Sequence, residues 1–262
     1  MAVDLGNWRQ SDINVDSLWL FSSRDNSGKH ANVYHGNFIP QVPHQLVSRY
    51  TRAGDVVMDL FMGSGTTLFE CERLGRNFIG YDINQDIIAY VHDKMTDDTT
   101  IGYCLCECDV TDEDAFNEKT RAGLQSLGRK DVDFVIAHPP YLDIVKFTDN
   151  PADLSNISDI DTFVEKFIAA MSHGLHYLPV GRYFAIVIGD IYRNSEVVPL
   201  AFMLMAAIKK NFSVKLKGII VKDINGNRGK LGLQNIWRYR ALRSDYYIFK
   251  HEYVLVFKKT AP

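Results

Sequence analysis

Apolar positions along this chain fall alternately into short unbroken runs and into sets at helical spacing. Residues 56–58 (VVM) form one run, closed by Asp59. Leu68, Cys71 and Leu74 then recur at helical spacing, and Gly75 stops them. Residues 77–81 are a second run and end on Asp82. Asn84 can cap a helix reaching about residue 95, with Ile87, Ile88 and Val91 on one face. A strand-like stretch over 102–110, ending at Asp109, precedes an amphipathic helix over 112–128 and a buried strand over 133–137. Asp161 caps a helix over 162–177, and a strand follows over 183–188. A hydrophobic helix over 197–210 comes next, then final strands over 212–221 and 251–258. This alternation predicts an α/β fold with a mostly parallel sheet and helices on both faces. On that layout Asp59, Asp82 and Asp109 share the carboxyl edge of the sheet.

The turn between the first two runs reads Phe61-Met62-Gly63-Ser64-Gly65, and Thr66 and Thr67 open the helix after it. Gly63 and Gly65 let the backbone turn sharply and approach a ligand with no Cβ between. Asp82 follows about 20 residues later, where nucleotide-binding folds hold a ribose. The third glycine of the dinucleotide fingerprint is missing, and no Lys follows Gly65 as in a phosphate loop. Asp59 before the turn repels a pyrophosphate. A nucleoside carrying an amino group and a sulfonium fits better.

Two proline motifs frame this unit. Residues 38–43 (FIPQVP) are expected to be rigid and extended, leading into a short helix over 44–50. At 138–141 the buried strand runs into His138-Pro139-Pro140-Tyr141. Neither proline has an N–H to donate, so the strand must end there, at the edge where open α/β sheets bind ligands. Residues 1–30 read as an irregular arm with one short strand, and residues 142–160 as a polar, acidic loop.

Composition refines the picture only in places. The 262 residues are 46% hydrophobic and 23% charged, as in an ordinary globular protein. No apolar run is as long as a membrane span, and the first residues lack the pattern of a signal peptide. Cys104, Cys106 and Cys108 alternate on one strand face, which suits core packing better than a disulfide framework or a metal site. A reducing, cytoplasmic setting with no metal is the expectation. The net charge of −3 leaves attraction to nucleic acid to a local patch. Residues 222–250 supply one, loop-like in composition, with Arg228, Lys230, Arg238 and Arg240 interleaved with Trp237 and other aromatics.

In combination, FIPQVP, DLFMGSGTT, a strand-terminal Asp and HPPY resemble the DNA amino-methyltransferases, which methylate N6 of adenine or N4 of cytosine. The resemblance covers roughly residues 30–260, and its motif order is that of the gamma-type members. It implies a Rossmann-like, S-adenosylmethionine-dependent methyltransferase fold with a seven-strand sheet. The whole chain, 1–262, would be one domain with the arm 1–30 and a small target-recognition insertion at 222–250. Phe38, Ile39 and Pro40 would flank the methionine end of S-adenosylmethionine. Asp59, Phe61, Gly63 and Gly65 would contact its amino acid part, with Thr66 and Thr67 supporting that end. Asp82 would hold the ribose hydroxyls and Asp109 the adenine amino group. His138, Pro139, Pro140 and Tyr141 would be catalytic, with Tyr141 stacked on a base flipped out of double-stranded DNA. Arg228, Lys230, Trp237, Arg238 and Arg240 would contact that DNA.

His138 departs from the family, which usually has Asp, Asn or Ser there. A neutral imidazole nitrogen accepts a hydrogen bond and a protonated one does not, so activity is expected to fall at acidic pH. The departure also removes the usual hint about the target; adenine is favoured as the commoner choice of the family. The insertion is short for a recognition domain. Either the loop 142–160, a second copy or a separate specificity or restriction partner shares the reading of DNA. The competing readings are an RNA base methyltransferase and a catalytically inactive DNA-binding module of the same fold.

Overall fold

A computed structural model describes residues 5–31, 36–224 and 234–262. Strand β1 (Leu18–Trp19) is followed by α1 (Gln41–Tyr50), β2 (Val56–Asp59), α2 (Thr66–Leu74), β3 (Asn77–Asp82) and α3 (Gln85–Lys94). Next come β4 (Tyr103–Glu107), α4 (Glu113–Ser126), β5 (Phe134–Ala137), α5 (Ile160–His176) and β6 (Tyr183–Ile188). The chain ends with β7 (Ile191–Arg193), β8 (Glu196–Val198), α6 (Leu200–Asn211), β9 (Val214–Asp223), α7 (Gln234–Arg243) and β10 (His251–Lys259).

The main sheet has the order β4-β3-β2-β5-β6-β10-β9, with β1 added in parallel outside β9. β10 runs against both its neighbours, β6 and β9. The pairings β2–β3, β2–β5, β3–β4 and β5–β6 are parallel. The fold is thus the expected doubly wound α/β sheet, extended by an eighth strand from the N-terminal arm. That strand is anchored by Trp19, which is 3% exposed. β7 and β8 form a separate antiparallel ribbon.

The unbroken apolar runs are explained by burial on both faces. Val56 and Met58 of β2 join one core with Phe116, Phe163 and Leu204, beneath α4, α5 and α6. Val57, between them, points the other way, into a second core with Leu46, Leu68 and Val91 of α1, α2 and α3. β5 alternates likewise, Val135 and Ala137 against Phe134 and Ile136. Each side chain so buried contributes roughly 1.5–3 kcal/mol of hydrophobic stabilisation. Cys108 is buried in the first core, and Cys104 and Cys106 pack against it.

Several boundaries differ from the sequence reading. Residues 40–43 are not extended: Pro40 is the N-cap of α1, and Pro43 sits in its first turn. A first-turn N–H has no helical partner, so a proline there loses nothing. The cap of α5 is Asp159, whose carboxylate accepts from the Thr162 N–H at 2.8 Å, and not Asp161. α6 starts only after Pro199, because the preceding valines lie in β8 and a residue before proline favours extended backbone. Residues 234–243 form a helix where a loop was expected; they contain neither Gly nor Pro. The glycine-rich residues behind that expectation lie outside the described residues. The acidic loop after β5 holds two short 3-10 turns, Leu142–Ile144 and Leu154–Asn156, pinned by buried Leu142 and Leu154.

Candidate active site

The strand order reverses direction between β2 and β5, and ligands bind at such switch points, outside the carboxyl ends of the strands. The turn after β2 is built first. Met62 N–H donates to Tyr81 O at 2.8 Å, and Gly65 N–H to Met62 O at 3.2 Å. Gly63 and Gly65 both have left-handed backbone, with φ of 53° and 82°. Asp59, 1% exposed, braces this turn from beneath: its carboxylate accepts the Thr67 hydroxyl at 2.6 Å and the Phe61 N–H at 3.1 Å. Burial pushes the Asp59 carboxyl up to about 6, against the pull of those two bonds.

Asp82, ending β3, meets the turn from the next strand. Its carboxylate accepts the Gly63 N–H at 2.9 Å and the Asn84 N–H at 2.9 Å. Burial raises this carboxyl to about 6 as well. Two oxygens with one donor each can still accept the hydroxyls of a sugar. Asp109 follows β4 and accepts both the N–H and the hydroxyl of Thr111 at 2.8 Å.

A cavity of about 460 Å³ opens along this edge, a size typical of small-ligand sites. Gly63, Thr66, Asp82 and Asp109 line it, and so do His138, Pro139, Pro140 and Tyr141. Phe38 and Ile39 also face it, and the Phe38 ring lies 4.9 Å from the His138 ring. Phe61 lines it too, whereas Pro40, Asp59, Gly65 and Thr67 do not; these shape the elements behind it. Carboxylates at two strand ends, an open glycine turn and apolar walls suit a nucleoside with a cationic tail. They do not suit a pyrophosphate.

The β5 exit carries a hydrogen-bonded chain. Tyr141 donates its phenol proton to Glu252 Oε2 at 3.1 Å, and His138 Nε2 lies 3.3 Å from the phenol oxygen. Lys222 Nζ donates to Glu252 Oε1 at 3.0 Å. Burial pushes the His138 imidazole down to about 4, partly offset by Glu252 and aided by Lys222. The Tyr141 phenol is raised well above its ordinary value, first by burial and then by Glu252.

Sequence reasoning missed several residues of this cavity. Lys222 falls within the basic insertion in sequence, yet it is 4% exposed and faces Glu252 across the β9–β10 pairing. Opposite charges near facing ends of two apolar strands were the available signal. Asp153, also a wall residue, accepts the Thr148 hydroxyl and the Ser155 N–H, both at 2.8 Å, so the acidic loop folds over the site. Arg24 reaches the cavity from the arm and donates to Phe38 O at 3.0 Å. Arg238 and Arg240 are exposed on α7, and the Arg240 guanidinium lies 5.5 Å from the half-buried Trp237 ring. Arg228 and Lys230 lie outside the described residues. Among the described residues no group of three or more His, Cys, Asp or Glu could hold a metal ion, and no helix is long and apolar enough to cross a membrane.

The doubly wound α/β fold is the one seen in S-adenosylmethionine-dependent methyltransferases of known structure. TrmN from Thermus thermophilus aligns over 86% of this chain and 50% of that one, with a TM-score of 0.54 and 14% identity. A putative rRNA methylase from Clostridium thermocellum aligns over 84% of this chain and 96% of that one, with a TM-score of 0.51 and 16% identity. At such identities the likeness is one of fold.

Residues 4–93 match the N6/N4 family model described as DNA methylase, which upholds the resemblance read from the motifs. The Type II methyltransferase M1.MboII of Moraxella bovis is 40% identical over 79 residues, 27% of this chain and 29% of that protein. M.MjaII of Methanocaldococcus jannaschii is 49% identical over 51 residues, 20% of this chain and 10% of that protein. The matched stretches thus span less than a third of these relatives.

Proposed function

We propose that this protein methylates the exocyclic amino group of a base flipped out of double-stranded DNA, N6 of adenine in preference to N4 of cytosine, as in cytoplasmic restriction-modification systems. The observation that carries the reading is the single cavity lined by both the glycine turn with Asp82 and the tetrad His138–Tyr141. The family match over 4–93 and the Type II methyltransferase relatives support it.

In this reading Asp82 accepts the ribose hydroxyls of S-adenosylmethionine, Asp109 faces the adenine end, and Gly63 and Thr66 border the amino acid tail. Phe38 and Ile39 supply apolar wall, while Asp59, Gly65 and Thr67 hold the turn in shape. S-adenosylmethionine, when bound, supplies a methyl group activated by its sulfonium. The task of the protein is then to position the base and to improve a poor nucleophile. The amino nitrogen has its lone pair delocalised into the ring. Acceptors fixed at the site draw its hydrogens and favour a more tetrahedral nitrogen. The Pro139 carbonyl, rigid between two prolines, is one acceptor, and the neutral His138 imidazole is the other. Tyr141 stacks on the base, and catalysis is mostly alignment. The insertion at 222–250 reads the target DNA together with the loop over 142–160, a second copy or a separate partner.

The test is to incubate the protein with S-adenosylmethionine and unmodified genomic DNA, digest to nucleosides and analyse by mass spectrometry. N6-methyldeoxyadenosine is expected. N4-methyldeoxycytidine would correct the base. Methylation of RNA alone, or of nothing despite cofactor binding, would overturn the DNA reading.

A further inference from the structure

The chain His138–Tyr141–Glu252–Lys222 has only one consistent arrangement of protons. Lys222 is a pure donor, and Glu252, its ion-pair partner at 3.0 Å, is a pure acceptor as a carboxylate. Both side chains are buried at the wall of the cavity, with Lys222 4% and Glu252 7% exposed. Tyr141 has a single hydrogen, and Glu252 Oε2 takes it at 3.1 Å. The phenol oxygen then has only lone pairs to offer His138 Nε2 at 3.3 Å. Nε2 must carry the imidazole proton. In a neutral ring this leaves Nδ1 unprotonated. His138 is half-buried and lines the cavity, so its ring is reachable from there. Gly189 helps fix the ring of Tyr141: a Cβ there would come within 2.9 Å of Tyr141 Cε2.

We infer that Glu252, held by Lys222, is a positioning residue that sets the tautomer of His138 through the Tyr141 phenol. It thereby keeps Nδ1 as the acceptor for an amino hydrogen of the target base. The inference rests on the function proposed above. It explains how a histidine stands where the family resemblance expects Asp, Asn or Ser. Those side chains always present an oxygen, whereas an imidazole presents an acceptor only if its proton is held on the other nitrogen.

Glu252→Gln tests this with almost no change of shape. Lys222 demands an acceptor, so the amide oxygen turns to it and the amide N–H turns to the phenol. The phenol hydrogen is then displaced towards His138 Nε2, and the imidazole proton moves to Nδ1. Long-range ¹H–¹⁵N spectra of histidine-labelled protein read the tautomer directly, with the resonance assigned by its loss in His138→Asn. The wild type is expected to show the Nε2–H form and Glu252→Gln the Nδ1–H form. The variant should bind S-adenosylmethionine normally while kcat falls on the order of 10- to 100-fold, as one hydrogen bond at the reacting nitrogen is lost. In a His138→Asn background the same change should cost far less, because an amide oxygen needs no tautomer. A wild-type Nδ1–H form would overturn the inference even if the variant fails to fold, and so would a Glu252→Gln protein that keeps Nε2–H. The spectra need no substrate. A protein that shows the expected tautomers yet methylates no DNA would overturn the proposed function and leave the proton arrangement standing.

Discussion

Burial sorts the titratable residues of the site into two pH ranges. Asp82 is raised to about 6, chiefly by burial, and His138 is lowered to about 4 by the same cause. As pH falls through about 6, Asp82 takes up a proton and, in the proposed function, loses the charge that attracts ribose hydroxyls. The KM for S-adenosylmethionine should therefore rise below pH 6. His138 remains a neutral acceptor until pH approaches 4, so kcat at saturating cofactor should hold from pH 8 to about 5. The expected acidic loss of activity thus lies well below the ordinary imidazole value of 6.5. Initial rates across pH, with circular dichroism confirming the fold at each point, check both limbs. A kcat midpoint near 6.5 would mean a solvated imidazole and would defeat the acceptor role. Stability follows the same shifts with opposite signs. Between 6.5 and about 4 the unfolded chain protonates His138 before the folded one does, so stability falls as pH drops. Asp59 and Asp82 hold protons in the folded state that the unfolded chain releases above 3.8, so their contribution is lost as pH rises to about 6.

The turn between β2 and α2 acts as one unit, and Gly65 is its tightest point. Its φ of 82° strains any other residue, and a Cβ would meet Val91 Cγ1 at 2.9 Å and Phe69 Cζ at 3.2 Å. Gly65→Ala should destabilise the protein by about 1–3 kcal/mol and weaken cofactor binding by moving Gly63 away from Asp82. Thermal unfolding with and without S-adenosylmethionine measures both effects; an unchanged melting temperature with unchanged affinity would show the turn to be slack. This unit was legible from sequence because every device in it is local: a run of three apolar residues, two glycines, a stop at Gly75, an acid at the strand end. The capping residues were less so. Asp159 and Asp161 are two positions apart, and only the backbone decides which of them faces the Thr162 N–H. The extended reading of 38–43 failed at 40–43 because a proline in a first helical turn looks the same in sequence as one in a linker. The Lys222–Glu252 pair was hidden for a different reason: it joins positions 30 residues apart through the register of β9 and β10.

For the molecule as a whole, the proposed function raises the question of how a chain of net charge −3 would hold a polyanion. Long-range attraction is weak, so affinity must come from cations placed beside the cavity. The insertion leaves and rejoins the sheet at that place: Ile224 lines the cavity, and its N–H donates to Lys250 O at 2.8 Å. Lys222 is not among the available cations, since Glu252 neutralises it in the interior. Arg238 and Arg240 are exposed on α7 between those two strand ends in the chain. Each phosphate contact releases counterions, so log K falls with log salt concentration by about 0.9 per contact on duplex DNA. Arg238→Ala should weaken binding uniformly across DNA sequences and flatten that slope by about one. Arg240→Ala should flatten it less, because stacking near Trp237 already engages its guanidinium. Lys222→Met, by contrast, should leave the slope alone, because its charge never meets a phosphate. Fluorescence anisotropy with a labelled duplex over a range of salt concentrations separates the three. A slope untouched by Arg238→Ala would remove α7 from the DNA interface and shift the search for phosphate contacts to the loop over 142–160.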